Sequence, residues 1–390
     1  MTPKSSHVKA RAILKRLNHK SAERNTRTRQ IVHHVRHPLH FWRSRKFWHK
    51  LALVFLSVLM FCVGGMWGIA QWYIHKHQNE PLSLGVSFIP DYARYFNLEP
   101  QSTMRAIFDD LGVKRVRVVS YWEDGEPTQG HYDFNDLDWE FQMAQQYGAK
   151  LSLSIGLRQP RWPECHMPAW AERLSEPEWY PSLKQYMTAV INRYKDNPAL
   201  DSYQLENEFF LKAFGHCTNF DRDRLVDEFN LVKQLDPKHT LVVSMSNNAI
   251  GTPIGQPTPD EWAISVYKRV WDKTITKRYF EYPIPAWYYA FRAGWTELTR
   301  GHNSFIHELQ AEAWAPNDLG IKDIPITEQD KSLNAARLHD RFEYGKATGM
   351  RQIDLWGVEW WYWRKVTLND DSLWNVAKDE FNQANQEKFQ

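Results

Sequence analysis

Cysteine is scarce in this chain of 390 residues, which contains three. None of the three has metal-ligand spacing with another cysteine or with a histidine, so the sequence predicts no metal site and no cofactor. The first predicted strand is not followed by Gly-x-Gly-x-x-Gly, which disfavours a doubly wound dinucleotide-binding fold. The chain also shows no Ser/His/Asp arrangement, phosphate-binding loop, short-period repeat or low-complexity tract.

Positive charge is concentrated at the amino terminus. The formal net charge is +3, yet residues 1–50 hold 14 lysines and arginines and a single acid, Glu23. The rest of the chain holds 35 lysines and arginines against 45 acids, so the remainder is acidic. A basic segment can bind nucleic acid, but no nucleic-acid motif accompanies this one. We therefore interpret it as a topogenic tail that binds anionic lipid.

Residues 51–74 form an uninterrupted run of 24 positions without a charged side chain, and the run closes with aromatic residues. About 20 apolar residues cross a bilayer, and Trp and Tyr favour its interface. A cleaved signal peptide is the alternative, but the basic region before the run is too long for one. We expect an uncleaved signal anchor, with residues 1–50 cytoplasmic, a linker at 75–81 and an extracytoplasmic domain at 82–390.

After the anchor, strand-like and helix-like segments alternate about eight times. Such alternation implies parallel strands joined by helical crossovers, and eight units in about 300 residues favour a closed (β/α)8 TIM barrel. An aromatic-rich helical region is expected between the sixth strand and about Trp295. The predicted strands are residues 82–88, 113–120, 150–155, 201–208, 240–246, 262–267, 304–308 and 352–356.

Two predicted strands end in glutamate. The fourth ends in Asn207-Glu208 and the seventh ends in Glu308. A carboxylate at the end of a core strand is costly to bury unless it has a partner or a function. All strand ends of such a barrel open on one mouth, so Glu208 and Glu308 are expected to converge. Retaining glycoside hydrolysis uses two carboxyl groups about 5–5.5 Å apart, one as the acid and one as the nucleophile.

On these residues the chain resembles the clan A retaining glycoside hydrolases, which include cellulase-like and β-galactosidase-like enzymes. The resemblance covers most of residues 84–365. Its opening block contains Leu111-Gly-Val-Lys-Arg-Val-Arg117 and, further on, Gly130-His-Tyr-Asp-Phe134. The resemblance implies that the protein binds a carbohydrate substrate and hydrolyses its β-glycosidic bonds without a cofactor.

The resemblance also implies roles for single residues. Glu208 would be the acid/base and Glu308 the nucleophile. Asn207 would contact the sugar 2-hydroxyl. Further expected site residues are Arg117 and Tyr267, which would orient the nucleophile, and Trp356, which would form a floor for the sugar.

Other glutamates compete for the two catalytic roles. Glu206 has the same strand parity as Glu208, and we interpret it as lying deeper and pairing with Arg117 or Arg115. Glu312 competes with Glu308, but it lies four residues further into the following loop.

Aromatic side chains are abundant, with 19 Trp, 17 Tyr and 20 Phe. Indole rings offer rigid surfaces for the apolar faces of sugars, so Trp162 and Trp356 are candidate platforms, although core packing competes for each. His166 is a candidate for contacting sugar hydroxyls. Cys165 and Cys217 each follow a predicted strand end, and they are predicted to form a disulfide if those strands are neighbours.

These features predict a membrane-anchored retaining glycosidase that acts on an extracytoplasmic oligo- or polysaccharide. Two alternatives remain open: a transglycosylase that acts on surface polysaccharide, and a membrane protein that binds carbohydrate without catalysis. The pair of strand-end glutamates favours an enzyme. Phe209, where related enzymes commonly have proline, and the long segment 309–325 leave the sugar open.

Overall fold

The computed structural model describes residues 47–217, 219–249 and 251–387. The chain divides into two compact units, residues 1–65 and residues 66–390. The described part of the first unit is helical and fully exposed, and the predicted basic tail lies outside the described residues except for residues 47–50. This helix, α1, runs over Phe47–His77, and by length and composition it is apolar enough to cross a membrane.

The last turns of α1 belong to the second unit, where they pack on the barrel. Ala70, Tyr73 and His77 are buried. The Tyr73 hydroxyl donates to the backbone carbonyl of Ser304 at 3.3 Å, and His77 Nε2 lies 2.9 Å from a carboxylate oxygen of Glu297. The helix therefore continues three residues past the predicted end of the apolar span, and only residues 78–82 separate it from the first strand.

Ten strands and eleven further helices make up the described part of the second unit. The strands are β1 (Ser83–Ser87), β2 (Arg115–Val119), β3 (Lys150–Ile155), β4 (Leu200–Leu205), β5 (Thr240–Met245), β6 (Glu261–Val266), β7 (Arg269–Asp272), β8 (Arg278–Glu281), β9 (Ser304–Gln310) and β10 (Gln352–Trp356). The helices are α2 (Pro90–Tyr95), α3 (Pro100–Asp109), α4 (Trp122–Gly125), α5 (Asn135–Gln146), α6 (Glu176–Tyr194), α7 (Arg222–Leu235), α8 (Ala286–Arg300), α9 (Ile326–Ser332), α10 (Ala335–Lys346), α11 (Val358–Thr367) and α12 (Ser372–Glu387).

Eight of the strands close into a parallel barrel in the order β1-β10-β9-β6-β5-β4-β3-β2. This order confirms the expected TIM barrel. Helical structure follows most of its strands, whereas the described part of the chain between β5 and β6 contains no helix. Helix starts are marked by side chains that satisfy free backbone N–H groups: Glu178 and Ser175 form a capping box before α6, and Asn334 accepts from Arg337 N at 3.0 Å before α10.

One segment differs from the sequence expectation. Helix was predicted from the end of the sixth strand, but β7 and β8 form an antiparallel hairpin before α8 begins. The carboxylate of Asp272 accepts from the backbone N–H groups of Thr274, Ile275 and Thr276, at 2.7 to 3.2 Å. This local turn reverses the chain, which explains why the aromatic residues before Pro283 pair across strands.

The inside of the barrel is polar at its amino-terminal layers. Arg115 on β2 lies with its Nε 3.2 Å from a carboxylate oxygen of Asp354 on β10, and both residues are buried. Ser202 on β4 donates to the hydroxyl of Ser152 on β3 at 2.9 Å. These contacts pair the buried Arg115 with an acid and the two serine hydroxyls with each other, which offsets the cost of burying them.

Gly85 is the position where this layer is tightest. A Cβ there would overlap the Asp354 carboxylate and lie 2.9 Å from the carbonyl oxygen of Arg115. We expect Gly85→Ala to lower the free energy of unfolding by about 1–3 kcal/mol, because overpacking would separate the ion pair. Chemical denaturation followed by tryptophan fluorescence measures the change. Gly251→Ala, placed in open space, is the matched control, and equal stability of the two variants would contradict the prediction.

Candidate active site

A cleft of about 270 Å³ opens at the carboxyl ends of the barrel strands. It draws its lining from the loops after β3 to β6, from the hairpin, and from β9 and β10. Six of the residues that were expected at the site line it together: Trp162, Asn207, Glu208, Tyr267, Glu308 and Trp356.

Glu308 is held by two donors. Arg117, which is 1% exposed inside the barrel, donates from Nη1 to Glu308 Oε2 at 3.1 Å. The Tyr267 hydroxyl donates to Glu308 Oε1. Each carboxylate oxygen of Glu308 thus accepts a hydrogen bond, and the Arg117 guanidinium supplies positive charge from inside the barrel. Glu308 lies within β9, two residues before its end, so its position is fixed by the sheet.

Glu208 has a different environment. The Ser265 hydroxyl donates to its Oε1, and its own backbone N–H donates to Ser244 Oγ at 2.7 Å. Burial, followed by the negative charge of Glu308, raises the pKa of Glu208 to about 7. A carboxyl with that pKa is protonated in a substantial share of molecules at neutral pH, as a general acid requires.

Asn207 joins the two sides of the cleft. Its Oδ1 accepts from Arg117 Nη2 at 3.0 Å and from Gln204 Nε2 at 3.1 Å. Its Nδ2 donates to Glu164 Oε2 at 3.0 Å. The amide is therefore oriented by its neighbours before any ligand arrives.

The pairing that we expected for Glu206 is wrong. Glu206 accepts from Arg224 Nη1 on α7 at 2.9 Å, and from the backbone N–H groups of Leu157 and Arg158 at 2.8 and 2.9 Å. The backbone of Glu206 lies just past β4 with a φ of 53°, so strand alternation no longer applies there. The structure uses Glu206 to hold the loops after β3 and β4 together.

Glu312 also lines the cleft, but its neighbours differ from those of Glu308. It pairs with Arg161 Nη2 at 3.4 Å, whereas Arg117 contacts Glu308. The site therefore separates the two residues: Glu308 faces the buried arginine of β2, and Glu312 faces an arginine of the loop after β3.

Glu164 is a cleft residue that the sequence reasoning missed. It is 4% exposed, accepts from Asn207, and lies 3.5 Å from Arg158 Nη2. Burial raises its pKa to about 8. Ser265 was missed as well. The sequence contained a sign of its role, because Ser265 lies on β6 two residues before Tyr267 and so has the same strand parity.

The aromatic candidates separate into different roles. Trp162 is 54% exposed at the cleft, where it meets the ring of His216 edge-on at 4.4 Å. Trp356 is buried, and the Arg161 guanidinium lies 4.5 Å from its ring centroid. His166 is not among the lining residues of the cleft; it stacks on Tyr121 at 3.5 Å. Of the three, Trp162 offers the open surface.

A disulfide joins Cys165 and Cys217, whose Cα atoms are 5.4 Å apart. It ties the loop after β3 to the loop after β4. The first loop carries Trp162 and Glu164, and the second follows directly from Glu208. The covalent link thus connects two loops that both contribute residues to the cleft.

A group with metal-ligand distances occurs elsewhere in the described residues. Ligand atoms of His339, Glu343 and Glu380, on α10 and α12, lie within 4.8 Å of one another. Glu380 already pairs with His339 at 2.8 Å and with Lys346 at 2.7 Å. None of these residues lines the cleft.

Two curated proteins are similar to this chain in sequence. Mannan endo-1,4-beta-mannosidase F of Aspergillus fumigatus is 24% identical over an alignment of 160 residues that covers 38% of this chain and 36% of that protein. Beta-galactosidase BgaH of Haloferax lucentense is 23% identical over an alignment of 146 residues that covers 33% of this chain and 22% of that protein. The chain thus spans about a third or less of the length of either relative. No family model matches the chain.

A solved structure extends the similarity to the whole barrel. Exo-beta-1,4-mannosidase Op5Man5 from Opitutaceae bacterium strain TAV5 superposes with a TM-score of 0.52 at 13% identity, covering 78% of this chain and 60% of that one. This likeness confirms the barrel fold.

The charge of Glu308 contributes to the raised pKa of Glu208, and this can be measured without catalysis. We expect Glu308→Gln to lower the pKa of Glu208, because the variant removes a neighbouring negative charge while burial stays the same. Carboxyl 13C chemical shifts of labelled glutamate, with Glu208 assigned through Glu208→Gln, follow the titration. Glu312→Gln is the control and should leave the pKa in place; an unchanged pKa in Glu308→Gln would contradict the coupling.

Proposed function

We propose that this protein is a retaining glycoside hydrolase that cleaves β-glycosidic bonds of an extracytoplasmic oligo- or polysaccharide. One observation carries the proposal: two carboxyl groups in one cleft have opposite environments. Glu308 accepts from Arg117 and Tyr267. Burial and the charge of Glu308 raise the pKa of Glu208 to about 7. Such a division is what an acid and a nucleophile need.

In the first step Glu208 donates its proton to the glycosidic oxygen, and a carboxylate oxygen of Glu308 attacks the anomeric carbon as the bond to the leaving group breaks. A glycosyl-enzyme ester on Glu308 results. In the second step Glu208, now ionised, takes a proton from water. The water oxygen attacks the anomeric carbon, and Glu308 leaves as a carboxylate. Each step inverts the configuration at the anomeric carbon, so the product keeps the configuration of the substrate.

The neighbouring residues support each step. Arg117 and Tyr267 hold the nucleophile at a fixed angle before substrate binds, which removes the cost of ordering it during the reaction. Asn207, oriented by Arg117 and Glu164, lines the same cleft as the two glutamates and is placed to meet a sugar hydroxyl. The similar proteins are a mannanase, a β-galactosidase and an exo-mannosidase, and this supports a β-glycoside as the substrate.

Transglycosylation is the second candidate. Trp162, with the rings of Phe214 and His216 beside it, forms an exposed aromatic edge of the cleft. Such a surface can hold an acceptor sugar whose hydroxyl replaces water in the second step. The chemistry up to the ester on Glu308 is the same for both candidates.

Trapping the ester tests the proposal. Incubation of the protein with activated 2-deoxy-2-fluoro β-glycosides is expected to add the mass of one fluorosugar, and peptide mapping is expected to place it on Glu308. Glu312→Gln, the matched control, should still be labelled, and Glu308→Gln should not. An adduct on Glu312 would overturn the assignment of the nucleophile. No adduct with any sugar of the panel, together with no cleavage of β-linked oligosaccharides, would leave a binding protein.

We also propose that α1 anchors the protein, with the barrel on the far side of the membrane from the basic tail. The apolar helix and the charge contrast on its two sides support this orientation. Protease added to sealed vesicles with the cytoplasmic face inside is expected to release an acidic fragment of about the size of residues 82–390. Protection of that fragment in these vesicles, with digestion in inverted ones, would reverse the orientation.

A further inference from the structure

A second cavity, of about 430 Å³, lies at the carboxyl ends of β1 and β2. It shares no lining residue with the cleft. Its lining includes one arginine, Arg94, and six acids: Asp91, Glu123, Asp124, Asp133, Asp136 and Glu140. The cavity thus concentrates negative charge that the arginine alone does not balance.

The single arginine is already engaged. Arg94 donates from Nη1 to Asp91 at 2.7 Å and from Nη2 to Asp136 at 2.7 Å. Asp124 lines the same cavity. Burial, followed by the charge of Asp91, a hydrogen bond with Asp91 and the charges of Glu123 and Asp136, raises the pKa of Asp124 to about 8. Its carboxyl therefore lies among other carboxyls in the cavity wall.

Glu140 is an independent sign that the cavity takes a ligand. It projects from α5, is 0% exposed, and neither of its carboxyl oxygens has a hydrogen-bond partner. Its carboxyl interacts electrostatically with Asp136, Arg94 and Asp91, which line the same cavity. A buried carboxyl without a hydrogen-bond donor is destabilising, so a group of this kind needs an explanation beyond packing.

We infer that this cavity binds a small organic molecule through a primary ammonium group, with Glu140 and Asp124 as its principal acceptors. An ammonium group brings one positive charge and three N–H donors to the Glu140 carboxyl, neither of whose oxygens has a hydrogen-bond donor. The walls include Ile89, Val119 and Leu137, so part of the ligand is apolar. A volume of about 430 Å³ is in the range of organic ligands and far above that of an ion.

A metal ion fits the cavity less well. In the described part of the chain, the only set of three such ligand atoms within 4.8 Å of one another is on α10 and α12. The cavity's carboxylates do not bring three ligand atoms within that distance of one another, and Arg94 already pairs with Asp91 and Asp136. An amino sugar and a free polyamine share the ammonium chemistry, and the experiment separates these two sources.

Calorimetry on the full chain in detergent, at pH 7 and low salt, tests the inference with glucosamine, N-acetylglucosamine, glucose and putrescine as separate ligands. We expect glucosamine to bind at least tenfold more tightly than the two neutral sugars, since acetylation removes the charge. Glu140→Gln is expected to weaken this binding at least tenfold. Glu172→Gln, an exposed glutamate outside the cavity, is the matched control and should bind like the unchanged protein.

The outcomes divide cleanly. Binding of putrescine but not glucosamine, lost in Glu140→Gln, supports the ammonium site and names a polyamine as its source. Equal binding of glucosamine and N-acetylglucosamine overturns the inference, as does binding that Glu140→Gln leaves intact, binding of Ca²⁺ alone, or no binding at all. The ligand comparison on the unchanged protein does not depend on how the variant folds. No bond is cleaved in the measurement, so its result is separate from that of the trapping experiment.

Discussion

The candidate site depends on one buried cation, Arg117. Its guanidinium reaches from β2 to Glu308 on β9 and to Asn207 after β4, so it connects residues from three strands across the inside of the barrel. An arginine that is 1% exposed is costly to bury unless it has a partner of opposite charge and hydrogen-bond acceptors. Glu308 supplies the negative charge, and Asn207 accepts a second hydrogen bond. The closed barrel makes this possible, because strands that are distant in the chain lie opposite one another in the ring.

The environments of three similar glutamates show how position decides their chemistry. Glu308 lies in the strand and faces Arg117, so it is held as a partner of a cation. Glu208 lies past the end of β4 and accepts from a neutral hydroxyl, so burial governs it and its pKa rises to about 7. Glu206, two residues earlier, accepts from Arg224 on α7 and serves the packing of the loops. The same side chain thus acts as nucleophile candidate, acid candidate or structural tie.

The sequence was informative where regular structure sets position. Strand periodicity predicted the eight barrel strands, and strand ends brought Glu208, Glu308 and Tyr267 to one cleft, since a closed parallel barrel leaves little freedom there. It failed where the backbone leaves the strand. The left-handed conformation of Glu206 changed its partner, and Glu164, with a φ of 74°, reaches the cleft from a loop whose path no periodicity encodes. The β7–β8 hairpin depends on a turn built around one aspartate, a signal shorter than the helix pattern that surrounds it.

Phe209, the residue directly after Glu208, contributes to the packing of the turn that positions Glu208. Phe209 is 2% exposed, and its ring packs against Phe220 and under the Arg224 guanidinium, which lies 5.2 Å from the ring centroid. Arg224 in turn holds Glu206, so the ring supports the turn that places Glu208. Arg158 reinforces the same turn by donating to the carbonyl of Asn207 at 2.6 Å. Edge-on ring contacts, buried ion pairs and a disulfide thus fix this loop, and such packing restricts the conformations of the side chains that the loop carries. By contrast, the side chains of Trp162 and Phe214, at the aromatic edge of the cleft, are exposed to solvent. We therefore expect contacts at that edge to select the sugar.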